Sequence, residues 1–179
     1  MDAFFELSPA IRYVALYRGG VLASRQRGGI AGASAAYELQ ARGRTLLLER
    51  EILPGHHTTG RSAAFLVESY GSAVVQALTR GGRHFFEKPP EGFAPHPLVH
   101  PRPVLWVATA EQLERRSAEL EAALESATDL QPVDANGARA ICPALRSGYA
   151  AGGVLEPNAL SIDVAGLLEA FLICIQGGV

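Results

Sequence analysis

The chain has 179 residues, a formal net charge of −2 at pH 7 and two cysteines. This length suits one domain with its own core, and the near-neutral charge, without lysine and arginine clustered among aromatic residues, argues against nucleic acid as a partner. The cysteines lack disulfide-framework or C-x-x-C spacing, no apolar run is long enough to span a bilayer, and the first residues do not resemble a secretory signal, so we expect a cytoplasmic protein.

A glycine-rich turn that opens a helix is the first predicted element. The pattern typical of dinucleotide binding is Gly-x-Gly-x-x-Gly. Its six places are filled here by Arg27, Gly28, Gly29, Ile30, Ala31 and Gly32. Gly29 lets the backbone approach a pyrophosphate, Gly32 lets the helix pack closely on a sheet, and the N–H groups at the helix start face the phosphates. Arg27 departs from the pattern at its first glycine.

An apolar strand from Thr45 to Leu48 follows and ends at Glu49. Glu49 comes about 20 residues after the turn, where dinucleotide-binding domains place the acid that accepts hydrogen bonds from the adenosine ribose. An acid at this place repels the 2′-phosphate of NADP. The pattern therefore predicts FAD or NAD.

A polar loop comes next, with the sequence PGHHTTGRSAA from Pro54 to Ala64. Its hydroxyls, glycines and guanidinium suit phosphate and ribityl oxygens. His57 is either a cofactor contact or a solvated loop residue. No metal site is expected, because His96 and His100 are separated by a proline-broken segment that cannot place both on one helical face.

These segments together resemble one enzyme family. The resemblance is carried by GIAGASAAYEL, GRTLLLERE, PGHHTTGRSAA, ESYG, PRP, PALR and LEPNALSIDV. They resemble the FAD-dependent D-amino-acid oxidase and dehydrogenase family, which includes glycine and sarcosine oxidases, and within it the bacterial D-amino-acid dehydrogenases of the D-arginine dehydrogenase type. The resemblance implies an α/β fold, with a partial doubly wound, Rossmann-like FAD-binding domain and the start of a mixed-sheet substrate domain. It also implies FAD as the cofactor.

Site residues are implied by the same resemblance. Gly29 and Gly32 would line the pyrophosphate, Glu49 would hold the ribose, and Arg50 would lie by the adenine. The residues that would follow the flavin are Thr58, Thr59, Arg61, Ser62, Ala63 and Ala64. Phe65 and Tyr70 fall where the family's mobile active-site loop begins, so Tyr70 is expected to cover the substrate. The alternative for Tyr70 is an ordinary half-buried aromatic residue.

The implied reaction is the oxidation of a D-amino acid, in which hydride leaves the α-carbon for the flavin and the imine is hydrolysed to a 2-oxo acid and ammonia. Enzymes of the D-arginine type are expected to place an acid just after the PRP segment. This chain has Val104, Leu105, Trp106 and Val107 there. We therefore expect a neutral or apolar D-amino acid as the small-molecule substrate. The family also implies peripheral association with the inner membrane, and no pattern indicates an oligomeric state.

The remaining elements are predicted from helix caps and apolar spacing. In chain order, the first three are a helix from Ser72 to about Phe86, a largely irregular segment from Lys88 to Pro103 and a strand from Val104 to Ala108. A helix follows that begins with the capping box Thr109 to Gln112 and carries Leu113, Leu120 and Leu124. The last three are a short helix capped by Asp134, a strand from Gly148 to Leu155 and a helix capped by Asp163.

Both ends of the chain depart from the family's pattern. Ser24 to Arg27 occupy the end of an expected apolar strand, and the resemblance is expected to stop near Phe171. We expect an atypical segment 1–27, an FAD-binding portion 28–87, the start of the substrate domain 88–162, and a helix with an atypical end 163–179. We therefore expect the chain to be the amino-terminal half of a larger oxidoreductase, with the residues before about 28 and after about 171 read in a shifted frame. The alternatives are an NAD-binding module and a truncated remnant without catalysis.

Overall fold

The computed structural model describes residues 28–42, 45, 47, 49, 51–115, 121 and 129–176. They form two compact units, each assembled from separate stretches of the chain. Unit 1 takes its residues from Met1–Ala64, Lys88–Leu98 and Asp163–Val179, and unit 2 from Phe65–Glu87 and Val99–Ile162. The consecutive segments expected from the sequence stay predictions.

Unit 1 is built on two helices that pack against each other, α1 (Ile30–Gln40) and α5 (Val164–Gln176). The buried residues of α1 are Gly32, Ala33 and Ala36. Their small side chains allow α1 to pack closely. The packing of Gly32 on a sheet, which the sequence pattern predicts, stays a prediction. Helix α5 begins as predicted after Asp163, whose Oδ1 accepts a hydrogen bond of 2.9 Å from the Gly166 N–H.

Three aromatic rings pack together in unit 1, one from each of these helices and one from the segment 88–98. The Tyr37 centroid lies 5.3 Å from that of Phe93 and 5.4 Å from that of Phe171, and the Phe93 and Phe171 centroids are 5.0 Å apart. Such tilted and edge-to-face pairs add to the stabilisation from burial. They join α1 and α5 to the segment 88–98.

Tyr37 makes the stability of unit 1 sensitive to alkaline pH. Burial raises the pKa of its phenol above the ordinary 10.0, helped by the nearby Cys174 and Glu38. The folded chain therefore keeps this proton at a pH where the unfolded chain loses it, so stability falls as pH rises above 10.0 through the raised value. We expect the Tyr37→Phe variant to lose less stability across this range, measured by urea unfolding and circular dichroism. An equally steep decline in both proteins would contradict this.

Unit 2 contains two three-stranded sheets, with every strand pair in the described residues antiparallel. The strands are β1 (Phe65–Leu66), β2 (Val99–Pro101), β3 (Val104–Ala108), β4 (Gln131–Asp134), β5 (Gly152–Glu156) and β6 (Leu160–Ile162). The first sheet has the order β1-β6-β2 and the second β3-β5-β4. The helices are α2 (Ala73–Glu87), α3 (Ala110–Arg115) and α4 (Ala135–Ile141).

The central strand of the second sheet places a carboxylate in the core of unit 2. In β5, Gly152, Val154 and Glu156 are buried, while the residues between them are less so. This alternation is typical of a strand with one face against a core. In the register of the sheet, Glu156 lies opposite Val104 and Val154 lies opposite Trp106.

The helix caps predicted for unit 2 are confirmed. The Thr109 N–H donates to Gln112 Oε1 at 2.9 Å, and the Gln112 N–H donates back to Thr109 Oγ1 at 3.3 Å, which is a reciprocal capping box. Asp134 Oδ1 accepts a bond of 2.7 Å from the Gly137 N–H. Ser72 Oγ accepts a longer bond of 3.5 Å from the Val75 N–H. Helix α2 runs through the Gly81-Gly82 pair without interruption.

One boundary predicted in unit 2 is wrong. Strand β5 begins at Gly152 instead of Gly148, which has a φ of +77° and belongs to a turn. The segment 88–103, predicted to be largely irregular, also contains the short strand β2, because Val99–Pro101 pairs with β6. Proline at the end of this short strand is tolerated because β2 is an edge strand and needs fewer donors.

Other predicted elements lie partly outside the described residues. In the predicted strand before Glu49, Leu46 and Leu48 are not described, although Leu47 is buried. The helix that begins after Thr109 is described to Arg115, which leaves out Leu120 and Leu124. None of the helices in the described part of the chain combines the length and the apolar character needed to cross a membrane.

Candidate functional site

Two charged side chains are buried within the described ranges, Glu49 in unit 1 and Glu156 in unit 2, and each is 2% exposed. A buried carboxylate costs free energy unless donors surround it. We therefore expect hydrogen-bond donors around each of these two side chains.

Glu49 lies directly against the glycine-rich turn. A Cβ atom added to Gly28 would stand 3.1 Å from Glu49 Cβ and 3.2 Å from Oε2. The Glu51 N–H donates to Glu49 Oε1 at 3.0 Å. Gly28 therefore packs closely against the acid, and a side chain at this position would require Glu49 to shift by a few tenths of an ångström. The sequence pattern gave Gly28 no such role. Because the second place of the pattern accepts any residue, only the adjacent glycine pair could have suggested this.

The start of α1 carries no capping side chain of its own. Gly29 is its N-cap in an extended conformation, and the first turn has no acidic residue. The Ile30 N–H donates to Thr59 Oγ1 at 3.1 Å. The N–H groups of Ala31 and Gly32 come too early in the helix to have an acceptor within it. This helix start therefore suits an anionic group such as phosphate.

The polar loop folds back on the same turn. The Gly55 N–H donates to the Gly28 carbonyl at 3.2 Å, and the Gly60 N–H donates to the Gly55 carbonyl at 2.7 Å. Gly55 has a φ of +75°, and a Cβ there would come within 2.8 Å of a Leu168 methyl group. These contacts bring Thr59 to the beginning of α1, so the structure unites the turn, the acid and the loop that the sequence separates.

The other predicted loop residues lie along the surface of unit 1. Thr58, Arg61, Ser62 and Ala63 are exposed. Ala64 has a φ of +30°, a conformation that costs free energy for a residue with a Cβ, and its N–H donates to Ser62 Oγ at 3.1 Å. Arg50 lies outside the described residues.

The histidines of the loop do not assemble a metal site. His57 Nε2 lies 3.0 Å from Glu51 Oε1, and its ring stands edge-on to that of His56. Across the described part of the chain, no group of three or more His, Cys, Asp or Glu side chains is placed to hold a metal ion.

Unit 2 contains an apolar cavity of about 580 Å³. The residues that line it are Phe65, Val67, Tyr70, Thr79, Pro103, Val104, Leu105 and Trp106. None of them is charged. The cavity brings together Phe65 and Tyr70, predicted as substrate-loop residues, with three members of the Val104–Val107 segment that was predicted to select the substrate.

Tyr70 and Trp106 form one side of this cavity. Their rings stack with centroids 6.3 Å apart and an interplanar angle of 10°. Tyr70 is 65% exposed, which is more than the half-buried residue of the alternative prediction. An exposed aromatic side chain beside an apolar cavity is a candidate for contact with a ligand.

The family model for FAD-dependent oxidoreductases (DAO) matches residues 28–178. The chain belongs to the FAD-dependent oxidoreductase family. The match begins at Gly28, at the glycine-rich turn, and continues past Phe171, where the resemblance was expected to stop. The match therefore extends past the point where the resemblance was expected to stop, and α5 runs without a break to Gln176.

Solved structures with a similar fold include three enzymes. The chain is similar to L-α-glycerophosphate oxidase from Mycoplasma pneumoniae with FAD bound (TM-score 0.67, 14% identity, 85% of this chain and 41% of that one). It is also similar to glycine oxidase from Bacillus cereus, with a TM-score of 0.65, 16% identity, and coverage of 85% of this chain and 44% of that one. The corresponding values for L-amino acid deaminase from Proteus myxofaciens are a TM-score of 0.61, 14% identity, 93% of this chain and 39% of that one. The chain thus spans less than half the length of these structures.

These comparisons confirm two predictions for this FAD-dependent oxidoreductase. The fold is a partial Rossmann-like α/β FAD-binding domain of the family, and the cofactor is FAD. The residues at the turn fit that cofactor, because glycines, unpaired helix-start amides and a buried acid are what a pyrophosphate and a ribose need.

Proposed function

We propose that this chain is part of an enzyme that oxidises the C–N bond of neutral or apolar amino acids, with preference for the D enantiomer. The reaction yields an imine, which water converts to the 2-oxo acid and ammonia. When bound, the flavin supplies the acceptor for the hydride that leaves the α-carbon. The protein's own residues bind the cofactor and orient the substrate.

The proposed cofactor residues are those gathered around the glycine-rich turn. The amides of Ala31 and Gly32 would donate to the pyrophosphate, and Glu49 would accept from the ribose hydroxyls. Thr59 already accepts from the Ile30 N–H, so its hydroxyl hydrogen is directed elsewhere and can reach a cofactor oxygen. Arg50, Thr58, Arg61, Ser62, Ala63 and Ala64 complete the proposed set.

The uncharged lining of the unit 2 cavity carries the substrate proposal. Apolar walls favour an aliphatic or aromatic side chain and leave a guanidinium or ammonium group without a partner. Glycine oxidase and L-amino acid deaminase, which share the fold, are named for amino-acid substrates, which supports the substrate class. The preference for the D enantiomer rests on the sequence resemblance.

Ligand binding by the purified protein tests this proposal, because Trp106 is the chain's one tryptophan and lines the cavity. We expect D-leucine to change Trp106 fluorescence at lower concentration than D-arginine or L-leucine. Tighter binding of D-arginine would overturn the substrate class, and a preference for L-leucine would overturn the enantiomer.

A single substitution should reverse the selectivity. Val104 lines the cavity at the place where D-arginine-type enzymes are expected to carry an acid. We expect Val104→Glu to improve binding of D-arginine relative to D-leucine by about tenfold, because it supplies a carboxylate partner in an apolar wall. Val104→Thr, which adds polarity without charge, serves as the matched control and should leave the ratio near that of the wild type.

The proposal includes a cytoplasmic location with peripheral binding to the inner membrane. Separation of lysed cells into soluble and membrane fractions tests it. Release from the membrane fraction by high salt is the expected behaviour.

A further inference from the structure

The segment Glu68–Gly71 in unit 2 is held in place by hydrogen bonds to Glu156, the second buried carboxylate. Glu156 Oε1 accepts the N–H of Glu68 at 2.8 Å and the N–H of Ser69 at 3.4 Å, and Oε2 accepts the Ser69 hydroxyl. These three donors lie 87 and 88 residues away in the chain. They satisfy a side chain that is 2% exposed, and charge-assisted bonds of this kind are stronger than neutral ones.

Helix α2 fastens the same segment from another direction. The Gln76 side-chain amide donates to the carbonyls of Ser69 and Gly71, each at 3.1 Å. The Arg83 guanidinium bonds Glu68 and Glu87 at 2.8 Å and the Asn158 carbonyl at 3.1 Å. Burial acts to lower the pKa of Arg83, but the bonds to these two carboxylates outweigh it and raise the pKa, so the guanidinium stays charged.

Tyr70 is the member of this segment that lines the cavity. With 65% of its surface exposed, its place beside Trp106 is not determined by burial in a core. An aromatic side chain has few rotatable bonds, so its position follows from the backbone that carries it. That backbone is fixed on both sides of Tyr70, at Ser69 and at Gly71.

We propose that Glu156 is a positioning residue for the substrate cavity. Its carboxylate holds the backbone at Glu68 and Ser69 so that the Tyr70 ring stands parallel to Trp106 and completes the cavity wall. Glu156 acts through Tyr70 and does not line the cavity itself. The link to substrate rests on the proposed function of the cavity, whereas the link to Tyr70 rests on the hydrogen bonds alone.

A purely structural role for Glu156 predicts different behaviour. An apolar residue of similar size in place of a buried charged group is often neutral or stabilising for a fold. If Glu156 served only the sheet, Glu156→Leu would leave the cavity wall as it is. If it positions Tyr70, the same variant leaves the N–H groups of Glu68 and Ser69 without their acceptor and releases the segment.

The experiment uses the full chain and follows Trp106 fluorescence without any ligand. We expect Glu156→Leu to shift Trp106 emission to longer wavelength and to increase its quenching by acrylamide, to the level that Tyr70→Ala produces. Glu156→Gln keeps an acceptor oxygen and should remain close to the wild type. Circular dichroism of each variant identifies any that fail to fold, and Ser69→Ala, which removes one hydroxyl contact, then gives a smaller shift in the same direction.

D-leucine titrations add a second readout. Glu156→Leu should weaken D-leucine binding by about tenfold, the loss that accompanies one anchoring hydrogen bond. Because Glu156 acts through Tyr70, the Tyr70→Ala/Glu156→Leu double variant should bind D-leucine no more weakly than Tyr70→Ala alone.

Two results would overturn the proposal. One is a folded Glu156→Leu variant with the Trp106 emission and quenching of the wild type, and the other is additive losses of affinity in the double variant. If the wild type binds no D-leucine, the proposed substrate is wrong, while the ligand-free fluorescence still decides whether Glu156 positions Tyr70.

Discussion

Glu49→Ala is expected to weaken FAD binding by about tenfold to a hundredfold, the value of hydrogen bonds to a charged acceptor. The acid is 2% exposed and lies against Gly28 at the glycine-rich turn, where the ribose is proposed to bind. Glu49→Gln keeps one acceptor oxygen and should show an intermediate loss. Titration of the apoprotein with FAD, followed by flavin fluorescence, measures both.

Glu51→Ala is the matched control for this prediction. It removes a nearby carboxylate but keeps the backbone N–H that donates to Glu49, so FAD affinity should stay close to that of the wild type. Equal FAD affinity in Glu49→Ala and the wild type would show that Glu49 does not hold the ribose.

Gly153→Ala is expected to destabilise unit 2 by about 3 kcal/mol, the upper part of the range for overpacked sites. Gly153 pairs with Val107 across β5 and β3. A Cβ atom there would overlap the Trp106 carbonyl oxygen and lie 3.0 Å from its carbonyl carbon and 3.1 Å from Val107 Cα. Backbone atoms cannot swing aside as a flexible side chain does, so the two strands must separate. Urea unfolding followed by Trp106 fluorescence measures the loss.

Gly81→Ala is the control for added volume without a clash. Gly81 lies inside α2, and a Cβ there would have no neighbour within 4 Å. Since alanine favours helix over glycine, this variant should be stabilised by about 0.5–1 kcal/mol. If Gly153→Ala were as stable as the wild type, the close pairing of β3 and β5 at this position would be wrong.

Features that depend on residues close in the chain were predictable from the sequence. The capping box at Thr109 and the caps at Asp134 and Asp163 each join residues three positions apart, so the chemistry that makes them is visible in a short window. The strand Val104–Ala108 was also predicted with the bounds it has. The turn, the strand and the acid predicted FAD or NAD, and the family resemblance implied FAD.

Features that depend on distant residues could not be predicted in this way. Nothing near Glu156 indicates that it bonds Ser69, because the partner is brought to it only by the folded sheet. The strand β2 was missed because the prolines around it favour irregular structure, and only the partner strand β6 stabilises it. The demand for glycine at position 153 likewise comes from another strand. Within the candidate site, the types of residue could be predicted from the sequence, but the hydrogen bonds and packing contacts that support them could not.

Because the two units are made of alternating stretches of the chain, the order in which they can fold during synthesis is determined by the sequence. The last strand of unit 2 ends at Ile162, and α5, the packing partner of α1, begins only at Val164. A growing chain therefore holds every described strand of unit 2 before α1 can acquire its partner, and domains form as their segments emerge from the ribosome. A nascent chain stopped before α5 would carry every proposed FAD ligand without the helix that α1 packs against. Capture of FAD by ribosome-bound chains should accordingly begin only when α5 has emerged.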